Sequence, residues 1–526
     1  MDLEGWPSSL GWRVVPALGI VAAGCSLLLG PAPTYREPGE GGRDAGPDAA
    51  REDAASEDAS LDGAIRGDGG CREAFTDCVP VANTVYECSA GECAIASCVD
   101  GWGDCDDRSE TGCEHPLNDV MRCGSCMTSC HWECASRECN DPVETVPGYA
   151  NGCSLLRDRT VRCWGDNEHG QLGLGTTSPT PSVGPQGIVQ RVFDVPVGVG
   201  HLADVVQFSL GTFFACAVTG SGEMLCWGAN DSGQCGQGSL AEPNYRTART
   251  VTRLGGGDAI GPVSAVAANA MHACAVLADT TVACWGHNTD LQVGSADDPV
   301  LLPTRVAGLT GVRSVGVGVR LSCALTTAGE VWCWGSNSDG SLGRGTTGAP
   351  SAVPAAVVAV TGSGRLSAVE ELAVGSTHAC ARLGGEVVCW GSNGNGELGD
   401  GTMTARERPV YVMDGAARLS GVTAIAASTN FTCAMVGGHP RCWGRNNAGQ
   451  LADGTLGEAQ PSPTFVVVED GSRLADASVL RAGGVGGCAH QRGAPHCWGL
   501  NAFGQAGNGD RMTRSHATPV LPPLLP

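Results

Sequence analysis

The phrase Cys-Trp-Gly-x-Asn occurs seven times between Cys163 and Asn501, and no other feature constrains the fold as strongly. Its tryptophans are Trp164, Trp227, Trp285, Trp334, Trp390, Trp443 and Trp498, spaced by 63, 58, 49, 56, 53 and 55 residues. A variant of GQLGxG follows each one: GQLGLG, GQCGQG, LQVGSA, GSLGRG, GELGDG, GQLADG and GQAGNG. Self-similarity at this period marks a repeat architecture, in which each unit buries its apolar face only against its neighbours. With 79 glycines and 17% charged residues, the repeats suit short strands joined by tight turns. A large aromatic at one place in every repeat is core between packed sheets, so the seven tryptophans are read as structural and not as a ligand cage.

Nine or ten residues separate the cysteine of each phrase from one before it. The pairs are Cys153 with Cys163, Cys216 with Cys226, Cys274 with Cys284, Cys323 with Cys333, Cys380 with Cys389, Cys433 with Cys442, and Cys488 with Cys497. In CARLGGEVVC, Gly384-Gly385 supplies a two-residue hairpin turn, because glycine reaches the positive φ that such turns need. Counting outward pairs Leu383 with Glu386, Arg382 with Val387, Ala381 with Val388 and Cys380 with Cys389. Alternation makes the cysteines a non-hydrogen-bonded pair with Cα atoms about 4.5 Å apart, within reach of a disulfide. Each blade is therefore expected to carry a cross-strand disulfide. The competing reading is buried reduced thiols packing as small apolar groups. The longer spacings, as in CALTTAGEVWC, require one extra loop residue or a bulge.

The phrases CALTTAGEVWCWGSNSDGSLGRGT and CARLGGEVVCWGSNGNGELGDGT resemble the repeat of the regulator of chromosome condensation family, over roughly residues 143–520. The resemblance implies an all-β, seven-bladed β-propeller. Within that family, nucleosome binding and guanine-nucleotide exchange on a small GTPase belong to the chromatin member. A secreted member binds and inhibits a β-lactamase. LQVGSA and LADG depart from the pattern, so those two turns are expected to differ in shape. The stretch Ala517-Thr518-Pro519-Val520 matches the segment that opens a blade, and is expected to join the first blade behind Val143–Gly148, mixing the two ends.

Ahead of the repeats, Val14–Gly24 is apolar and uncharged, and ends in Ala22-Ala23-Gly24-Cys25. Small residues before a cysteine resemble the bacterial lipobox, which makes Cys25 the expected lipidation site. An ordinary cleaved secretory signal with an incidental cysteine is the alternative. Residues 1–25 are thus read as a signal and 26–70 as an acidic, disordered linker; residues 31–70 hold ten acidic and four basic side chains. Residues 71–140 hold twelve cysteines, too many for so small a core unless disulfides staple it. Zinc at Cys123–Cys126 is the weaker reading, since CGSC lacks a matching pair. Gly103–Glu114 offers carboxylates, but not at calcium-loop spacing, and reads as a solvated acidic turn. The run DCDDRSETGCE followed by CGSCMTSC resembles a cysteine-rich module of myxobacterial surface lipoproteins. Residues 141–526 are left for the propeller.

The arithmetic of 28 cysteines then closes on one lipid site, twelve in the module, fourteen in blades, and Cys235, which replaces the leucine of GQLG as a free, buried thiol. So many cysteines argue for an oxidising compartment. All 32 basic residues are arginine and the net charge is −23. Lysine-dependent P-loops and Schiff bases are excluded, and the chain is a poor ligand for phosphate backbones. The same facts argue against the chromatin activities. His272 and His378 share one place, two residues before a blade cysteine, which suits a structural role. No zinc helix, nucleophile elbow or phosphate loop occurs. No catalytic, cofactor-binding or metal residue is assigned.

The reading is an exported monomer, lipid-anchored at the outer membrane or cell surface, that binds a protein partner without catalysis. A glycan-binding envelope protein and a propeller-scaffold hydrolase or lyase are the alternatives. The variable segments Thr176–Gly187 and Thr346–Pro354 are the expected contact loops.

Overall fold

The computed structural model describes residues 84–89, 92–98, 102–103, 115–116, 130, 132, 134–135, 138–177, 190–191 and 202–522. Cys25, the linker, the CGSC motif and the acidic run 104–114 lie outside the described residues. In the cysteine-rich region the described chain forms short hairpins, Thr84–Ser89 with Glu92–Cys98 and Cys134–Ala135 with Glu138–Cys139 among them.

Seven four-stranded antiparallel sheets follow, each built from four consecutive strands. Blade one comprises Pro142–Pro147, Asn151–Leu156, Val161–Gly165 and Gln190–Arg191. Blade four comprises Val312–Val317, Leu321–Thr326, Val331–Asn337 and Gly348–Ala356. Blade seven comprises Ala477–Gly483, Gly486–Gln491, Ala494–Gly499 and Arg514–Pro519. The first strand of each blade packs against that of the next, and that of blade seven against that of blade one, so the ring closes. Side chains shield these inner edges. Gln207 of blade two donates to Val266 O and accepts from Val266 N of blade three, both at 2.7 Å.

The hairpin register agrees with the count made on CARLGGEVVC: Leu383 faces Glu386 and Cys380 faces Cys389. One cysteine pair bridges the central hairpin of every blade. In chain order, Cys153 meets Cys163, Cys216 meets Cys226, Cys274 meets Cys284, and Cys323 meets Cys333. Cys380 then meets Cys389, Cys433 meets Cys442, and Cys488 meets Cys497. The sulfurs lie 2.03–2.13 Å apart and the Cα atoms 4.0–4.1 Å apart, which is disulfide bonding and not the packing of reduced thiols. The Cα separation is shorter than the 4.5 Å expected of an ordinary non-hydrogen-bonded pair, because the covalent bridge draws the strands together. The nine-residue separations use two-residue turns with both residues left-handed, such as Gly384 and Gly385 at φ 56° and 76°. The ten-residue separations add one loop residue, and the last loop residue turns left-handed: Arg159, Gly222, Thr280 and Gly329.

Two expectations are corrected. Arg514–Pro519 pairs with the third strand of its own blade, Cys497 facing Thr518, and does not join blade one. Blade one has no open place, because Gln190–Arg191 already forms its fourth strand. Thr346–Pro354 is also less of a loop than expected. From Gly348 it is the outer edge strand of blade four, with Val353 70% exposed.

Candidate functional site

The repeated residues build the scaffold that any site must stand on. The seven tryptophans are 0–1% exposed. Six indole N–H groups donate to the loop of the preceding blade: Trp227 to Gln171 O, Trp285 to Gln234 O, Trp390 to Ser341 O, Trp443 to Glu397 O, Trp498 to Gln450 O, and Trp164 to Gln505 O, at 2.8–3.0 Å. The last of these links blade seven to blade one. Trp334 Nε1 finds no acceptor among the described residues, and the matching carbonyl, Gln292 O, accepts from Ser322 Oγ instead. The glycine after each tryptophan is left-handed; at Gly335 (φ 110°) a Cβ would stand 2.5 Å from Arg320 O.

The asparagine that ends each phrase has a role that spacing alone did not reveal. Its Oδ1 accepts from the amide five residues on, as Asn167 from Leu172 and Asn393 from Leu398, at 2.8–3.2 Å in all seven repeats. Its Nδ2 donates to the carbonyl nine residues on, again in all seven repeats, for example Asn337 to Thr346 O. A buried asparagine thus holds the loop shape and satisfies backbone groups that would otherwise be orphaned. Its constancy through the repeats was the available signal.

Buried histidines cement alternate seams. His272 Nε2 lies 3.0 Å from Ser322 Oγ, His378 Nε2 2.9 Å from Thr432 Oγ1, and His490 Nε2 3.0 Å from Thr145 Oγ1. Burial lowers the pKa of all three, to about 3, about 4 and about 4. Cys235 is buried, with Sγ 3.3 Å from Ala229 O, and burial drives its pKa far up, so it is a core atom and not a nucleophile.

Antiparallel order places the first–second turns and the third–fourth loops on one face of the ring, and the central hairpin turns on the other. The two faces differ. On the hairpin face, arginines are paired: Arg159–Asp204, Arg305–Asp279, Arg365–Glu330, Arg382 with Glu370 and Glu371, Arg418–Glu386 and Arg492–Asp476.

The loop face carries different side chains at equivalent positions. Phe213, Met271, Arg320, Thr377, Asn430 and Val485 each stand three residues before a blade cysteine, and each is half-buried. Blades seven, one, two and three make its apolar side, with Val485, Leu500, Tyr149, Phe213 and Met271. There the Phe213 ring sits 6.1 Å from Tyr149 and 4.7 Å from His169. Blades four to six make its polar side. Arg320 reaches Asp290 at 3.6 Å, whereas the Arg445 guanidinium has no hydrogen bond or ion pair among the described residues. Asp166, buried beneath the apolar side, has its pKa raised by desolvation although Gln171 donates to it at 2.9 Å. Such a surface offers contact and charge, but no arranged nucleophile, base or ligand set among the described residues. Of the expected contact loops, residues 178–187 lie outside the described residues.

Comparison with known proteins agrees with this architecture. The RCC1-like domain matches residues 160–523, and the regulator of chromosome condensation (RCC1) repeat matches residues 148–171. The human E3 ubiquitin-protein ligase HERC2 is 28% identical over 342 residues, 63% of this chain but only 7% of the ligase. The ultraviolet-B receptor UVR8 of Arabidopsis thaliana is 27% identical over 379 residues, 70% of this chain and 79% of the receptor. Among solved structures, human WBSCR16 superposes with a TM-score of 0.57 at 20% identity, covering 69% of this chain and 94% of that one. Yeast RCC1 (Prp20), crystallised with Kap60, gives 0.53 at 18% identity over 72% and 85% of the two chains. Seven blades built on one repeat, and a domain match that spans most of them, place this chain in the RCC1-like domain family.

Proposed function

We propose that this chain is a non-catalytic binding protein of the cell surface, exported and anchored through a lipid on Cys25, whose loop face docks a protein partner. One observation carries the choice of face. Equivalent positions on the loop face hold six different residue types on an otherwise repeated scaffold, and among the described residues the Arg445 guanidinium has no hydrogen bond or ion pair there, while six arginines of the hairpin face are engaged in ion pairs. A rigid ring with variable loops is a recognition scaffold. Aromatic and arginine side chains are the usual anchors of interfaces. A relative crystallised with a bound protein, yeast RCC1 with Kap60, supports the use of this fold for docking.

The test is capture from envelope and secreted fractions with residues 26–526 as bait. A saturable protein partner is expected, lost in the double variant Phe213→Ala with Arg445→Ala and kept in Arg365→Ala with Arg418→Ala. Loss only in the second variant would move the site to the hairpin face. Retention on envelope polysaccharide with no protein captured would replace the reading with glycan binding, for which Tyr149 and Phe213 supply a stacking surface. For the anchor, Cys25→Ser is expected to release the chain from membranes, and an unchanged membrane fraction would reject lipidation.

A further inference from the structure

We propose that the loop closed by the Cys130–Cys139 disulfide is a redox-sensitive clasp: it seats Trp132 in the seam between blades seven and one, and a thiol reductant opens it before any blade disulfide.

The argument starts from what the other six seams share. The amides of Val205, Val263, Val312, Val369, Val422 and Ala477 each donate to the hairpin turn of the preceding blade, at 2.9–3.1 Å. Three residues before each of these stands a buried aliphatic residue: Leu202, Ile260, Leu309, Leu366, Leu419 or Leu474. At blade one the equivalent of Val205 is Pro142, which faces Leu156 as Val205 faces Thr219. Proline has no amide hydrogen, so this seam lacks the backbone bond. Three residues earlier stands Cys139, half-buried and bonded to Cys130.

Trp132, 1% exposed, takes the vacant apolar place. It is buried in one cluster with Leu156 and Trp164 of blade one and with Cys488, Cys497, Ala506 and Val520 of blade seven. Its ring meets Trp164 edge-on at 6.1 Å. Hydrogen bonds tie the loop to blade one: Trp132 N donates to Asp141 Oδ1 at 2.8 Å, and Asn140 exchanges two 2.9 Å hydrogen bonds with Asp158. The disulfide between Cys130 and Cys139 holds the tryptophan over the seam across a nine-residue separation.

Access decides the order of reduction. The fourteen blade cysteines are 0–1% exposed, whereas Cys130 and Cys139 are half-buried. A thiolate of a dithiol reductant attacks one sulfur of the pair and forms a mixed disulfide. The second thiol then displaces the protein sulfur. Two electrons and two protons pass to Cys130 and Cys139, and the reductant leaves as its own disulfide.

The experiment is brief treatment of the full chain with dithiothreitol under native conditions, alkylation, peptide mapping, and amide hydrogen exchange. Cys130 and Cys139 are expected to label while blade cysteines stay protected. Exchange in Asn151–Leu156 and Gly486–Gln491 is expected to quicken roughly tenfold or more, with less than about a twofold change in His272–Leu277 and Leu321–Thr326. Cys130→Ser with Cys139→Ser should show the fast seam without reductant and no further response to it. Trp132→Ala should do so with the disulfide intact, and Trp132→Phe should stay near the parent. Blade cysteines labelling first, all seams loosening alike, or an unmoved seam in both the reduced protein and the double serine variant would each overturn the clasp.

Discussion

The seam between blades three and four and the seam between blades seven and one do the same job with different means. At the first, the chain runs straight on: Val312 N donates to Thr280 O, Leu309 is buried beneath, and His272 meets Ser322. At the second, no connecting strand is shared and Pro142 withholds the backbone bond. The seam keeps contacts that other seams share, Trp164 on Gln505 O and His490 on Thr145, and is further held by Gln505 Nε2 on Tyr149 O at 3.1 Å, Arg481 on Glu144, and Trp132 in the gap. What connectivity supplies directly at six seams must be assembled from separate contacts at the seventh. Cooperativity of the ring therefore rests on that seventh seam.

The largest expected effect comes from the repeated tryptophans. Trp390→Ala and Trp164→Ala each empty a fully buried site and should cost about 3–5 kcal/mol, read from urea denaturation midpoints. Trp164→Ala should cost about 1 kcal/mol more, because it also removes the edge-on partner of Trp132. Equal costs would erase the distinction between the seams.

The blade disulfides come next. Each closes a loop of about ten residues, for which chain entropy predicts roughly 3 kcal/mol. Cys380→Ser with Cys389→Ser and Cys488→Ser with Cys497→Ser are expected to lose similar amounts, since the entropy depends on loop length and both pairs are nine apart. A much larger loss for the second pair would show that Cys488 and Cys497 also matter as the wall against which Trp132 packs.

These comparisons show what the repeat made legible. Blade number, hairpin register, the cysteine pairs and the buried tryptophans follow from local periodicity, because strand pairing across a turn of two or three residues leaves little freedom. Ring closure was misread. The stretch Ala517–Val520 resembles the segment found before every blade, but that segment is the fourth strand of the blade just completed, and pairing to Cys497 holds it there. Trp132 carried no signal, since it stands outside the repeat and its partners, from Leu156 to Val520, are 24 to 388 residues away. The character of the two faces was equally hidden, because ion pairs such as Arg365–Glu330 and Arg418–Glu386 join residues 35 and 32 apart.

Acid should distinguish the histidine seams from the rest. His272, His378 and His490 are neutral when folded, with pKa values lowered by burial to about 3, 4 and 4. Unfolded, they titrate near 6.5, so between about pH 6.5 and 4 the unfolded chain binds more protons and stability falls as pH falls. Their stabilisation is complete above about pH 6.5. By about pH 5 each histidine should have cost up to about 2 kcal/mol. His490→Gln, which keeps a polar group opposite Thr145, should flatten this loss at the seam between blades seven and one. An unchanged pH profile would mean that His490 titrates in the folded ring as it does in the unfolded chain.

The smallest effect expected at that seam belongs to its ion pair. Arg481 Nε lies 2.5 Å from Glu144 Oε1, and their side chains are 44% and 18% exposed. Water screens a pair so placed, and two long side chains must be held still to make it. Arg481→Ala is therefore expected to cost under about 1 kcal/mol, with most of that loss disappearing at about 1 M salt. The comparison with Trp132 is the informative one. If Arg481→Ala quickens exchange in Gly486–Gln491 as much as Trp132→Ala does, charge closes the ring and high salt should open it. If it does not, the ring is closed by a buried aromatic supplied from before the first blade, and salt leaves the seam intact while a reductant does not.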